Sequence, residues 1–149
     1  MNAERIQRIF AVNVTGSFLC AREAVKRMST KYGGTGGSIV NLSSGAAKYG
    51  SPGEYVDYAA SKAAIDTLTI GLAKEVAQEG IRVNAVRPGF IDTEIHQSGG
   101  EPDRMERVRP LVPMKRVGQA KEVADAIMWL LSNKASYTTG TILDVSGGR

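Results

Sequence analysis

Short β-branched runs alternate with stretches of helical periodicity, and this alternation restricts the chain more than anything else in it. The runs are "SIVNLSS" (38–44), "IRVNAVRPG" (81–89) and "GTILDVSGG" (140–148). The first is nearly continuous in apolar character, as a strand buried on both faces must be. Ahead of it, from about Ala3 to Met28, Ile6, Ile9, Phe10, Val14, Phe18, Leu19, Ala24, Val25 and Met28 recur at three- and four-residue steps, which predicts a helix. A second helix is predicted from about Glu54 to Gln78, stopped by Gly80. The third is the amphipathic "QAKEVADAIMWLLSN" (119–133). Gly16 inside the first helix reads as a point of close packing. "KYGGTGG" and "GAAKYGSPG" read as loops, and residues 90–118 as a polar excursion punctuated by Gly and Pro, with some helix.

Helix, strand, helix, strand, excursion, helix, strand is the order of an α/β fold, a parallel sheet with helices on both faces and right-handed crossovers. Ligands of such sheets bind beyond the carboxyl ends of the strands. Ser43-Ser44 and Pro88-Gly89 fall at those ends. At 149 residues a single domain, 1–149, is expected.

The stretch "YVDYAASK" (55–62) opens the second helix. Tyr58 and Lys62 stand at i and i+4, on one face. A free phenol has a pKa near 10, too high for proton exchange at neutral pH, and a neighbouring ammonium favours the phenolate. The pair is therefore a candidate general acid/base for a hydroxyl or carbonyl. Ala59, Ala60, Ser61 and Ala63 are small enough to let a ligand or another helix approach the backbone. A bare Tyr-x-x-x-Lys spacing is common by chance, and an incidental pair on an amphipathic helix would show the same letters.

Other functional classes have weaker support. Lys and Arg are scattered among acids despite a net charge of +4, so no nucleic-acid partner is expected. No apolar run approaches the roughly 18 residues needed to cross a bilayer, and "MNAERIQRIF" carries no apolar signal core. A single cysteine, Cys20, suits a reducing compartment, so a cytoplasmic location is expected. His96, the one histidine, reads as solvent-facing, with no Cys/His cluster to hold zinc or another metal. A hydrolase triad on Ser44 would need a Gly-x-Ser-x-Gly elbow, which is absent. "GGTGGS" (33–38) precedes a strand rather than joining strand to helix, so it reads as a connector and not a phosphate loop. "EPDRMERVR" (101–109) reads as a solvated helix face, and Met105 and Met114 as packing or pocket-lining residues.

The stretches "VNVTGSF", "GSIVNLSS", "YAASKAA", "GIRVNAVRPGFIDTE" and "TGTILDVSGG" occur in an order and spacing that resemble the short-chain dehydrogenase/reductase family. The resemblance runs along essentially the whole chain. It implies a Rossmann-like three-layer αβα fold and an oxidoreductase that moves hydride between NAD or NADP and an alcohol or carbonyl substrate. It implies Tyr58 as acid/base, Lys62 as the group that lowers its pKa and binds the nicotinamide ribose, and Ser44 as the group that positions the substrate oxygen. Asn13 would hold a water in a proton relay behind Lys62. Pro88, Gly89, Ile91 and Thr93 would line the nicotinamide. Here the serine and tyrosine are one residue further apart than is usual in the family. The second serine of such a pair is the usual one, so Ser44 is taken over Ser43.

The resemblance also implies a homodimer or homotetramer. The first two helices, which carry Gly16, Ala59, Ala63, Ala64 and Gly71, would pair across a two-fold axis, and the last helix and strand would stack. Family members open with a strand, a glycine-rich turn and a helix that hold the pyrophosphate, which are not found here. The chain therefore looks like the carboxyl-terminal, catalytic portion of such an enzyme, and is expected to be inactive by itself, with an uncovered edge on the strand 38–44. The alternative is a non-catalytic remnant that keeps only its assembly surfaces.

Overall fold

A computed structural model describes residues 1–94 and 103–149. The expected position of His96 lies outside these residues. The amino-terminal helix is continuous but not uniform. α1 (Ala3–Phe10) runs through a π-helical stretch, Ala11–Thr15, into α2 (Gly16–Met28). Asn2 caps its start by accepting from the Arg5 N–H at 2.9 Å. The π-helical stretch places Asn13 in a widened turn, a local distortion that often accompanies function. Gly16 does not serve close packing within the chain: a Cβ there would meet nothing nearer than Ala11 O at 3.7 Å.

β1 (Gly37–Leu42), β2 (Ile81–Pro88) and β5 (Ile142–Val145) form one parallel sheet in the order β1-β2-β5. Gly37 pairs with Ile81 and Leu42 with Val86. The middle strand, β2, is the most buried, as its apolar sequence requires. Its alternate residues enter two cores. Ile81 and Val83 pack with Ala73 and Val76 of α4 (Val56–Val76), joined by Val25, Met28 and Ile39. Val86 packs on the opposite face with Val123 and Leu130 of α6 (Ala120–Leu131), joined by Val40, Leu143 and Val145. The period of two along the strand thus builds the three layers of the expected αβα sandwich.

β1 has β2 on one side and no other strand on its far side among the described residues. Gly37, Ser43 and Gly45 donate backbone bonds toward β2 or its flanks. By the alternation of a parallel ladder, Ser38, Val40 and Leu42 therefore turn their backbone groups to the open edge.

Three details differ from the sequence expectation. The loop after β1 contains a helical turn, α3 (Ala46–Tyr49), ended by Gly50 in the left-handed region at φ 74°. The excursion holds α5 (Arg104–Val108) and two two-residue strands, β3 (Ile91–Asp92) and β4 (Gly118–Gln119), paired in parallel. Strands that short carry no readable period. The part of the 101–109 cluster that is described, 103–109, is not simply a solvated face, because Arg104 is nearly buried. It pairs with Glu54 at 2.8 Å and lies over the Tyr55 ring, 5.3 Å from its centroid. The excursion is thereby docked against the residues that precede α4.

Candidate active site at the carboxyl end of β1

α4 begins where the chain returns to the carboxyl ends of the strands, so its first two turns lie beside the residues that follow β1. Two bonds lock this arrangement. Lys62 Nζ donates to Leu42 O at 2.8 Å, at the open edge of β1. Ser43 Oγ donates to Lys62 O at 3.2 Å. Ser43 is buried and held to the helix backbone, whereas Ser44 is only half-buried. Ser44 Oγ accepts from the Ala46 N–H at 3.1 Å, which leaves its proton for another oxygen. The two serines thus differ in their bonds, Ser43 being tied to α4 and Ser44 to its own loop.

Tyr58 is half-buried, and its phenol makes no hydrogen bond among the described residues. The Lys62 ammonium lies 5.7 Å from the centroid of its ring, so the i, i+4 spacing does bring the two side chains together. Burial pushes the Lys62 pKa down, and the charge of Asp66, one turn further along α4, pushes it back up. Asp66 is buried and takes Arg87 Nε and Nη2 on Oδ2 at 3.0 and 2.8 Å. Its Oδ1 has no hydrogen-bond partner among the described residues. Arg87 reaches on to Asp144 at 3.5 Å, and Lys48 binds that carboxylate at 3.3 Å. A line of alternating charge therefore leads from Lys62 across β2 to β5. Sequence reading missed Asp66 and Arg87, although Arg87 immediately precedes Pro88.

Asn13 is brought to Ser61, the residue before Lys62 on α4. Its Nδ2 donates to Ser61 Oγ at 3.0 Å, and its backbone carbonyl accepts from Ser17 Oγ at 2.7 Å. Pro88 and Gly89 sit beside the serine loop: Gly45 N–H donates to Pro88 O at 2.9 Å. Gly89 N–H donates to Val145 O at 2.9 Å. A Cβ on Gly89 would lie 2.8 Å from Ser146 Cα, so only glycine lets β2 and β5 end this close together. Ile91 pairs with Gly118 in the β3–β4 ladder, and Thr93 is exposed beyond it. A cavity of about 480 Å³, lined by Phe90, Ile91, Met114 and Arg149 among others, opens next to this segment.

An ammonium and a phenol on one helix face, a free hydroxyl proton at Ser44, and an exposed threonine past Pro88-Gly89 form a donor set suited to a nicotinamide riboside and a carbonyl oxygen. Among the described residues there is no cluster of His, Cys, Asp and Glu that could hold a metal ion. No described helix is long and apolar enough to cross a membrane.

The sequence matches, over residues 1–149, a family model described as Enoyl-(Acyl carrier protein) reductase. It is 67% identical over 149 residues to "Uncharacterized oxidoreductase YgfF" of Escherichia coli (strain K12), covering 100% of this chain and 60% of that protein. It is 40% identical to "Glucose and ribitol dehydrogenase homolog" of Oryza sativa subsp. japonica, over 96% of this chain and 48% of the relative. It is also 40% identical to "Glucose 1-dehydrogenase 2" of Bacillus subtilis (strain 168), over 99% and 56%. The chain thus spans about half to three-fifths of the length of these relatives. A family match along its whole length, on a parallel αβα sheet, means that this chain belongs to the short-chain dehydrogenase/reductase family.

Proposed function

We propose that this chain is the catalytic portion of an NAD- or NADP-dependent oxidoreductase acting on an alcohol/carbonyl pair. The observation that carries the reading is the Tyr58–Lys62 turn, fastened to the end of β1 through Leu42 O and Ser43 Oγ. A bound nicotinamide would supply or accept the hydride. Tyr58 Oη would give its proton to the carbonyl oxygen as that carbon becomes an alcohol, and take it back in the oxidative direction. Ser44, whose proton is free, would donate to the same oxygen and fix its place. The Lys62 ammonium would set positive charge beside the phenol and bind the ribose. Pro88, Gly89, Ile91 and Thr93 would line the nicotinamide, and Asn13 would hold a water in a proton relay behind Lys62.

Two relatives named for glucose or ribitol make small sugars and polyols the first substrates to try. The single cysteine, Cys20, which suits a reducing compartment, supports a cytoplasmic location. Exposed Phe18 and Leu19 on α2, Ile70 on α4, and Trp129 on α6 support a homodimer or homotetramer. Gly71, whose Cβ position is open, lies on an exposed part of α4, whereas Ala59 is buried inside the chain and contributes nothing to such a contact. Light scattering at micromolar concentration that returned 15.9 kDa would refute the assembly.

The function is tested in a chimera in which residues 1–149 replace the matching part of the E. coli relative. It should oxidise or reduce sugars or polyols only with added nicotinamide cofactor, NAD and NADP being tried separately. Tight cofactor binding supports the enzyme; no binding in the chimera supports the non-catalytic remnant.

A further inference from the structure

Both backbone hydrogen-bonding groups of Tyr58 are held by side chains, and each of those side chains is held in turn by the first helix. The Tyr58 N–H donates to Asp57 Oδ1 at 2.9 Å. Asp57 accepts Arg5 Nε on Oδ2 at 2.6 Å and Arg5 Nη2 on Oδ1 at 3.4 Å. On the other side, the Tyr58 carbonyl accepts from Ser61 Oγ at 2.7 Å, and Ser61 Oγ accepts from Asn13 Nδ2 at 3.0 Å.

Tyr58 is the third residue of α4, so its N–H is one of the donors that a helix start leaves without an intrahelical carbonyl. A cap residue would ordinarily take such a donor, but Tyr55, at the cap position, makes no side-chain cap bond. Asp57 does it from inside the first turn, where a carboxylate also suits the positive end of the helix. Asp57 is only 6% exposed, and Arg5 comes from 52 residues earlier in the chain. This is unlike a surface pair such as Lys121–Asp125, whose side chains are 81% and 65% exposed and which contributes little. Arg5 holds the Asp57 carboxyl below the usual carboxylate range, so the ion pair persists through neutral pH.

We propose that Arg5 and Asp57 are positioning residues for Tyr58: the ion pair fixes the N–H side of the tyrosine while Asn13 and Ser61 fix its carbonyl side, so that the continuous amino-terminal helix aims the phenol. The proposal rests on Tyr58 being the acid/base. A proton donor must lie within hydrogen-bond reach of its oxygen, and a misplacement near 1 Å costs about 10² in rate. Fastening both ends of one residue's backbone to a neighbouring helix restricts that error.

The test has two arms. In the 149-residue chain, amide exchange at Tyr58 is read by NMR. Asp57→Ala should speed it by about 10-fold or more, and Arg5→Gln by less, as a local bond is lost. Asp57→Asn, whose Oδ1 can still accept from the Tyr58 N–H but whose uncharged amide would meet the Arg5 donor, should speed it no more than Arg5→Gln does. In the chimera, Asp57→Ala should lower kcat by about 10–10² with KM for the alcohol or carbonyl nearly unchanged, and Asp57→Asn and Arg5→Gln should lower it by less. Lys121→Ala should change neither readout. If Asp57→Ala does not fold, Arg5→Gln, at a half-exposed position, carries both arms. Unchanged Tyr58 exchange in Asp57→Ala and Arg5→Gln overturns the clamp whatever the activity. Altered exchange with normal kcat, in an enzyme that Tyr58→Phe inactivates, overturns the positioning role alone. An active Tyr58→Phe enzyme would overturn the chemistry on which that role rests, and is thereby told apart.

Discussion

Gly89→Ala tests how closely the ends of β2 and β5 must approach. The new Cβ would stand 2.8 Å from Ser146 Cα, 2.9 Å from its Cβ and 3.2 Å from its carbonyl oxygen. Ordinary carbon–carbon contact begins near 3.5 Å, so the two strands must part by roughly 0.7 Å. Neither side can yield by a rotamer change, because the crowded atoms are backbone and Cβ. The φ of Gly89 lies outside the left-handed region, so alanine adds crowding without backbone strain. Parting the strands also stretches the Gly89 N–H bond to Val145 O. Overpacking of this kind costs about 1–3 kcal/mol. With a urea slope of about 1–3 kcal/mol/M, the midpoint of the 149-residue chain should fall by roughly 1 M at unchanged slope. In the chimera the same shift moves Pro88 and Ile91 away from the nicotinamide, and turnover should drop by about 10–10². Gly118→Ala is the control: its Cβ meets the tip of Ile91 at 2.7 Å, a methyl that can turn aside, so its midpoint should move less. Equal midpoints for Gly89→Ala and wild type would refute the reasoning.

Lys62→Met should separate stability from function. Burial lowers the folded-state pKa of Lys62, so holding it charged costs stability below that pKa, and the cost is relieved as pH rises through it toward the unfolded value. The stability of Lys62→Met relative to wild type should therefore be most favourable near neutral pH and decline as the pH becomes alkaline, while cofactor affinity in the chimera is lost. A difference in urea midpoint that is independent of pH would contradict this, and normal cofactor affinity would contradict the ribose role. Calorimetry on residues 1–149 alone should find no saturable NADH or NADPH binding tighter than about millimolar, which is roughly 4 kcal/mol. Micromolar binding would mean that the described residues hold more of the cofactor than Lys62, Thr93 and the Pro88–Ile91 segment.

The three main strands and three long helices were legible because their apolar periods are long and their stops, Gly80 and Pro88-Gly89, are strong. Tyr58 and Lys62 were legible because one helix turn fixes their relation locally. Other relations were not visible, because they join residues far apart in sequence. Nothing in "AERIQ" announces that Arg5 will meet Asp57, and nothing in "NAVRPG" announces that Arg87 will meet Asp66. Asp57 carried a faint signal, an acid directly ahead of the tyrosine in the first turn of a helix. Asn13 was singled out in the sequence, but its side-chain partner, Ser61, was not. The π-helical stretch that presents Asn13 has no sequence signature, because Ala11–Thr15 keeps the same apolar period as the α-helix around it.

The most direct measurement is single-turnover hydride transfer in the chimera, following nicotinamide absorbance with a sugar or polyol substrate, for wild type and Tyr58→Phe. Removing only the phenol oxygen should slow the chemical step by about 10²–10⁴, roughly 3–5 kcal/mol of barrier, with cofactor binding and the unfolding midpoint unchanged. Transfer at the wild-type rate in Tyr58→Phe would contradict the account.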